Sequence, residues 1–429
     1  MARAMKDSGV EWIGEIPKGW ETKKLKYCSS FIQQKNESTS DADLSYIGLE
    51  NIVSWSGKYI ATESQYDKEQ SLLFQEGDIL WGKLRPYLAK VYHASNAGCC
   101  SGEFCVIRID KQFNDRYFWN LLISSEFVST VDRSTYGTKM PRANADFIKN
   151  VFVPLPPYEE QARISNFLDT ECARIDAVIE KTRASIEEYK KLKQSVITQA
   201  VTKGIRPGRK MKDSGVEWIG YVPDDWKVAK IKYFSSIRSG ITLGKTYPKE
   251  ARLVEYPYLR VANVQGSYTD LSDIATIFVT EAEAQKYQLH DGELLMTEGG
   301  DRDKLGRGTV WHAEIDPCLH QNHVFALRTD DRLSAEYVSY LTTSFVGRDY
   351  FDVTANQSVH LASTNSTTIM NFKIPVPSIG EQEEIIAFLN SKADAIDTLI
   401  ERKKTLLSEL DAYKKSLIFE YVTGKREVV

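Results

Sequence analysis

Apolar positions along this chain follow two rhythms. In one, they alternate spacings of four and three: Leu168, Cys172, Ile175, Ile179, Thr182, Ile186, Tyr189, Lys193, Val196, Ala200. The same alternation returns as Leu389, Ala393, Ile396, Ile400, Lys403, Leu407, Leu410, Lys414, Leu417, Tyr421. That is the a/d seam of a coiled coil. Neither run holds Pro or Gly, so each predicts a helix of about 40 residues, ~60 Å long at 1.5 Å per residue. Gly204 and Gly424 fall where a helix C-cap is expected. A narrow seam needs a partner helix, so the two runs are expected to pair as a rigid spacer. Lys193 and Lys414 interrupt both seams at the same place. Polar seam residues of this kind either fix register or snorkel to solvent.

The other rhythm is short. Residues 21–152 and 227–373 mix β-branched and aromatic runs with turn residues, as in LSYIGLENIVSW, GDILWGKLRPYLAKVYHA, YPYLRVANVQG and GTVWHAEI. These predict strands and hairpins. YFWNLLISSEFVSTV and AEYVSYLTTSFVGRDYF predict one or two helices at matching places in the two blocks. Each block therefore reads as an α+β domain.

The two rhythms recur because the chain is written twice. MKDSGVEWIGEIPKGW (5–20) and MKDSGVEWIGYVPDDW (211–226) agree at twelve of sixteen positions. Downstream, VPLPPYEEQARISNFLD (153–169) faces IPVPSIGEQEEIIAFLN (374–390), and GDIL (77–80) faces GELL (292–295). A repeat of this kind must be recognised before any fold is assigned. It predicts two α/β domains related by a pseudo-two-fold axis and separated by an antiparallel pair of long coiled-coil helices. The expected division is 1–152, 153–205, 206–373 and 374–429, alternating domain and helix. The constant parts are expected to do one job twice, and the variable parts related jobs with different specificity.

Composition adds limits. The chain has 429 residues, 42 % of them apolar, and a formal net charge of −4, which excludes disorder as its main state. The six cysteines form no CxxC and no disulfide framework, as expected of a reduced, intracellular protein. No run is long and apolar enough to predict a membrane span.

Catalytic motifs are imitated and not completed. Leu155-Pro156-Pro157-Tyr158 resembles an amino-methyltransferase loop but lacks the amide or carboxylate that would accept from the target amine. SGITLGKT (239–246) has Ser where a phosphate-binding loop needs Gly. His312, Cys318, His320 and His323 match no common zinc spacing. By elimination the chain reads as a recognition or scaffolding subunit. Basic and aromatic residues interleave in loop-like segments, a pattern suited to phosphates and to guanine. They are Lys83, Arg85, Tyr87, Lys139 and Arg142 in the first block, and Arg302, Lys304, Arg307 and His360 in the second.

Taken together, the duplicated MKDSGVEWIG-x-x-P-x-x-W segments, the two Pro-x-Pro…Glu-Gln segments (Pro154 to Gln161, Pro375 to Gln382) and the long helices after them resemble the DNA specificity subunit of type I restriction-modification systems. GDILWGKLRPYLAK with SGEFCVIR resembles the core of that family's target-recognition domains. The resemblance implies a non-catalytic prokaryotic cytoplasmic protein whose two domains each read half of a bipartite double-stranded DNA target. The helix pair would set the spacing and dock two methyltransferase subunits. Its seam would be Leu168, Ile175, Ile179, Ile186 and Tyr189 against Leu389, Ile396, Ile400, Leu407 and Leu410. No cofactor is implied for this chain; S-adenosylmethionine, ATP and magnesium would belong to the methyltransferase and restriction subunits. Two alternatives stand beside this reading: a stand-alone DNA methyltransferase or nuclease, and a coiled-coil scaffold with no role on DNA.

Overall fold

The computed structural model describes residues 3–36, 44–62, 71–135, 139–300, 305–357 and 362–428. The chain divides into two compact units, and the division cuts across the sequence. The first unit takes Met1–Arg183 together with Lys404–Val429, and the second takes Ala184–Lys403. Each long helix is therefore shared. The first, Tyr158–Lys203, gives its N-terminal part to the first unit, and the second, Ile379–Val422, gives its C-terminal part to that same unit.

In the first unit, the hairpin Met5–Asp7/Glu15–Pro17 leads into strand Glu21–Lys24, which pairs antiparallel with Phe152–Leu155. A four-stranded antiparallel sheet has the order Ser29–Ile32, Phe104–Ile109, Ile79–Gly82, Val91–His93. A smaller sheet of Tyr46–Ile47, Gly98–Cys100 and Leu72–Phe74 lies beside it in sequence, and the helices Asp115–Leu122, Ser125–Arg133 and Ala145–Asn150 follow. The second unit repeats the plan. Its hairpin is Met211–Asp213/Tyr221–Pro223, its crossing pair is Lys227–Lys230/Lys373–Val376, and its four-stranded sheet runs Ser235–Ser239, Val324–Thr329, Leu294–Thr297, Gly308–Val310. Both helix-rich segments resolve into two helices, the second pair being Ala335–Thr343 and Phe345–Val353.

The central strands are buried on both faces, and an acidic residue precedes each. Asp78 is buried and grips the Arg108 guanidinium with two bonds of 2.7 Å. Glu293, the Glu of GELL, is equally buried and accepts from Arg238 at 2.7 Å and from Arg328 at 3.0 Å. A buried carboxylate is tolerable only with such partners. Asp78–Arg108 and Glu293–Arg328 each tie the central strand to its neighbour in the sheet, and Glu293–Arg238 reaches the strand beyond it.

The constant Glu-Gln of each helix start also acts in the interior. Gln161 accepts from the Asn114 N–H at 2.9 Å and donates to the Pro156 carbonyl at 2.8 Å. Gln382 does the same with the Ser334 N–H (2.8 Å) and the Pro377 carbonyl (3.0 Å). Glu160 accepts the Trp20 indole N–H at 2.9 Å and pairs with Arg3; Glu381 accepts that of Trp226 at 3.0 Å and pairs with Arg209. Trp20 and Trp226 are among the largest fully buried side chains, and an indole N–H left without an acceptor there would be costly. The long helix, the N-terminal hairpin and the domain core are thereby locked together in the same way in both units.

Within each unit the helices pair antiparallel. In the first, Phe167 packs on Tyr421 (ring centroids 4.4 Å apart) and Lys414 Nζ bonds Asp176 at 2.6 Å. In the second, Lys193 Nζ bonds Asp397 at 2.6 Å and Lys403 Nζ lies over the Tyr189 ring. The two seam lysines are thus register ion pairs with aspartates on the facing helix. Of the seam positions, Leu168, Ile175 and Ile179 are buried in the first unit, with Leu407 and Leu410 half-buried. Ile186, Leu389, Ile396 and Ile400 are buried in the second, with Tyr189 half-buried. Both helices end as glycine caps, with φ of +73° at Gly204 and +71° at Gly424.

One buried titratable group makes the second unit sensitive to acid. His320 is fully buried; its Nδ1 lies 2.6 Å from the Val324 carbonyl oxygen, and burial pushes its pKa down to about 4. In the unfolded chain the imidazole protonates near pH 6.5. Between these two values the unfolded state binds the extra proton, so stability falls as pH falls. Denaturant unfolding at pH 7 and pH 5 should show the second unit weakened by about 2 kcal/mol at the lower pH. The drop should shrink in His320→Gln; an equal drop in the variant would assign the effect elsewhere.

Candidate nucleic-acid interface

In the first unit the loop after strand Ile79–Gly82 carries Lys83, Arg85 and Tyr87, and the segment before helix Ala145–Asn150 carries Lys139 and Arg142. The fold brings these two segments together. The Arg85 N–H donates to the Pro141 carbonyl at 2.8 Å, the Ala143 N–H donates to the Lys83 carbonyl at 2.9 Å, and Leu84 forms a β-bridge with Arg142. Five candidates from two stretches more than fifty residues apart in sequence thus lie on segments hydrogen-bonded side by side.

The backbone here is held in an uncommon state. Arg85 has φ of +52° and Ala89 +45°, flanking a single 3₁₀ turn Pro86–Leu88. Left-handed non-glycine residues persist where the surroundings over-determine them, and such positions cluster at functional sites. Here the turn is pinned by the Pro141 contact and by Lys90, whose Nζ donates to the Leu49 carbonyl at 2.7 Å. The result is that Arg85 and Tyr87 are exposed at the tip. Met140, at 63 % exposure, adds an apolar contact beside them. Arg142 pairs through Nε (3.1 Å) and Nη2 with Glu103, a partner the sequence pattern did not single out.

The second unit offers a different surface at the corresponding place. Arg302, Lys304 and His360 lie outside the described residues. Arg307 is half-buried, with its Nε buried and unpaired among the described residues. Beside the end of strand Leu294–Thr297 lie instead the half-buried Glu298 and the exposed His323, whose Nδ1 approaches Glu298 Oε2 at 2.5 Å.

Elsewhere the candidate chemistry resolves into structural roles. Burial pushes the thiols of Cys28, Cys105 and Cys172 up to about 11 and those of Cys100 and Cys318 up to about 12, so they stay protonated and are poor nucleophiles. Lys245, in the SGITLGKT segment, pairs with Glu283 at 2.6 Å. Among the described residues no helix is long and apolar enough to cross a membrane.

Comparison with known proteins bears on both halves. The chain is 27 % identical over 335 residues to the type I restriction enzyme MjaVIII specificity subunit of Methanocaldococcus jannaschii, covering 74 % of this chain and 72 % of that protein. It is 21 % identical over 438 residues to the StySPI specificity subunit of Salmonella potsdam, covering 96 % and 90 %. It is 22 % identical over 330 residues to the EcoKI specificity subunit of Escherichia coli, covering 76 % and 69 %. Among solved structures, a chain from work on complex assembly and conformational transition of the type I R-M system has the same fold, with a TM-score of 0.74 at 18 % identity over 96 % of this chain and 99 % of that one. The HsdS subunit of Thermoanaerobacter tengcongensis aligns with a TM-score of 0.54 at 18 % identity, over 96 % and 98 %. The sequence model of the type I restriction modification DNA specificity domain matches twice, at residues 17–188 and 223–410, and the chain belongs to that family.

Proposed function

We propose that this chain is the specificity subunit of a cytoplasmic type I restriction-modification enzyme and reads a bipartite double-stranded DNA target, one half-site per unit. The observation that carries this reading is the doubled scaffold: one sheet and one helix-start lock are built twice, while the exposed side chains at the sheet ends differ. In functional terms the chain would divide into recognition domains 1–152 and 206–373 and spacer helices 153–205 and 374–429. The helices, about 45 residues each, reach ~65 Å at 1.5 Å per residue, enough to govern the separation of half-sites that recur about every 34 Å on one face of B-DNA. Two methyltransferase subunits would dock along them and bring S-adenosylmethionine; restriction subunits would bring ATP and magnesium. A subunit of net charge −4 fits this division, because phosphate contacts can come from the partners.

In this reading Lys83, Arg85, Tyr87, Lys139 and Arg142 face the first half-site, and Arg302, Lys304, Arg307 and His360 the second. Replacing Arg85 by Ala and mapping adenine methylation in cells should relax one base position of one half-site by about tenfold or more, the worth of a good bidentate base contact. Methylation unchanged at every variant of that half-site would remove Arg85 from the surface.

A further inference from the structure

The two units share a backbone frame whose side chains have been exchanged. In the first, the Lys83 N–H donates to the Glu103 carbonyl (2.8 Å), the Ala143 N–H donates to the Lys83 carbonyl (2.9 Å), and Leu84 bridges Arg142. In the second, the Glu298 N–H donates to the His323 carbonyl (2.9 Å), the Thr364 N–H donates to the Glu298 carbonyl (2.7 Å), and Gly299 pairs with Ser363. The correspondence is therefore Lys83 with Glu298, Glu103 with His323, and Arg142 with Ser363. The main chain is the same and none of the three side chains is.

The charge pattern has moved with them. In the first frame the carboxylate is Glu103, held by the Arg142 guanidinium, with Lys83 on the neighbouring segment. In the second the carboxylate has shifted to Glu298, held by the His323 imidazole, and the guanidinium position is a serine. These side chains are within reach of a ligand: Glu298 is 31 % and His323 53 % exposed. The His323 ring is held on both sides, with Nδ1 against Glu298 and Nε2 lying 3.4 Å from Asn322 Nδ2, so it fixes the orientation of the Glu298 carboxylate. A carboxylate can only accept hydrogen bonds. On a surface facing phosphates it is repelled, unless it meets an amino group. In the major groove such donors are the exocyclic amines, N6 of adenine and N4 of cytosine.

We infer that this three-position frame sets base preference in each unit, and that Glu298 is a specificity-determining residue that accepts from an exocyclic amino group in the second half-site. The inference rests on the proposal that the units read DNA.

The test uses the full chain assembled with its methyltransferase subunit, acting on a DNA library randomised over both half-sites, with methylated sites read by sequencing. Glu298→Ala should relax one base position of the second half-site by about tenfold to a hundredfold, the range for a good base contact, and leave the first half-site as it was. Relaxation at an A·T pair identifies adenine, and at a G·C pair cytosine. Glu298→Gln, which keeps an acceptor of the same shape, should relax the same position less. Exchanging the first frame (Lys83→Glu, Glu103→His, Arg142→Ser) should alter the first half-site only. Base preferences unchanged in Glu298→Ala, or a uniform loss of methylation with preferences intact, would overturn the inference. No base preference in the wild-type complex would instead overturn the DNA-reading proposal itself.

Discussion

Ending the chain at Lys403 should unfold the first unit and leave the second able to melt on its own. The removed residues, Lys404–Val429, belong to the first unit although they are furthest from it in sequence. They place Leu417, Ile418, Tyr421 and Val422 in the same core as Trp20, Trp81 and Phe118. Tyr117, fully buried, donates its hydroxyl to the Val422 carbonyl at 2.8 Å. Lys415 Nζ sits 4.0 Å above the Trp55 ring, and Gly424 packs so closely on Pro17 that a Cβ there would lie 2.5 Å from its ring. Loss of one large buried apolar side chain costs about 2–5 kcal/mol. Losing four together approaches the whole stability of a typical domain, about 5–15 kcal/mol. The second unit, Ala184–Lys403, loses nothing. Calorimetry with limited proteolysis should therefore show one transition removed and cleavage spread through residues 1–183. Two transitions at their original temperatures would mean that the C-terminal segment is not part of the first core.

This dependence was only half legible in the sequence. The helices were, because spacings of four and three sustained over ten seam positions fit nothing else, and the antiparallel pairing followed from the repeat. The observed helices are longer than the seam, starting at Tyr158 and Ile379, because their first turns face the domain through Glu160, Gln161 and their counterparts. That each helix is divided between units depends on which domain each stretch packs against, and a seam pattern does not encode that. The seam lysines left two readings open; the facing aspartates, Asp176 and Asp397, decide for register.

The surface was less legible than the core. Lys83 and Arg142 stand far apart in sequence, and only the bonds between their segments make them neighbours. Glu103 lies in an apolar strand lead-in and shows its role only through Arg142. His323 looked like a fragment of a metal pattern, yet its partner is Glu298, which no motif marks. Side chains that act through a residue twenty or more positions away leave no periodic trace, whereas core positions do.

The largest functional effect should come from exchanging residues 21–152 for the corresponding block of another specificity subunit. The segment spans the larger sheets, the loops and the short helices of the first unit, and the exchange keeps its hairpin, Trp20 and both long helices. The lock of Trp20 on Glu160 and the antiparallel helix contacts therefore remain available to the new block. The second unit's residues are untouched. Because a specific site is bound about 10³-fold to 10⁷-fold more tightly than random DNA, a complete switch of one half-site should move methylation from the old sites to new ones almost entirely. The modular reading of the two units is tested by expressing this exchanged chain with its methyltransferase subunit and sequencing every methylated adenine. One half-site should change while the other half-site and the spacer length stay the same. Changes in both half-sites, or in neither, would contradict it.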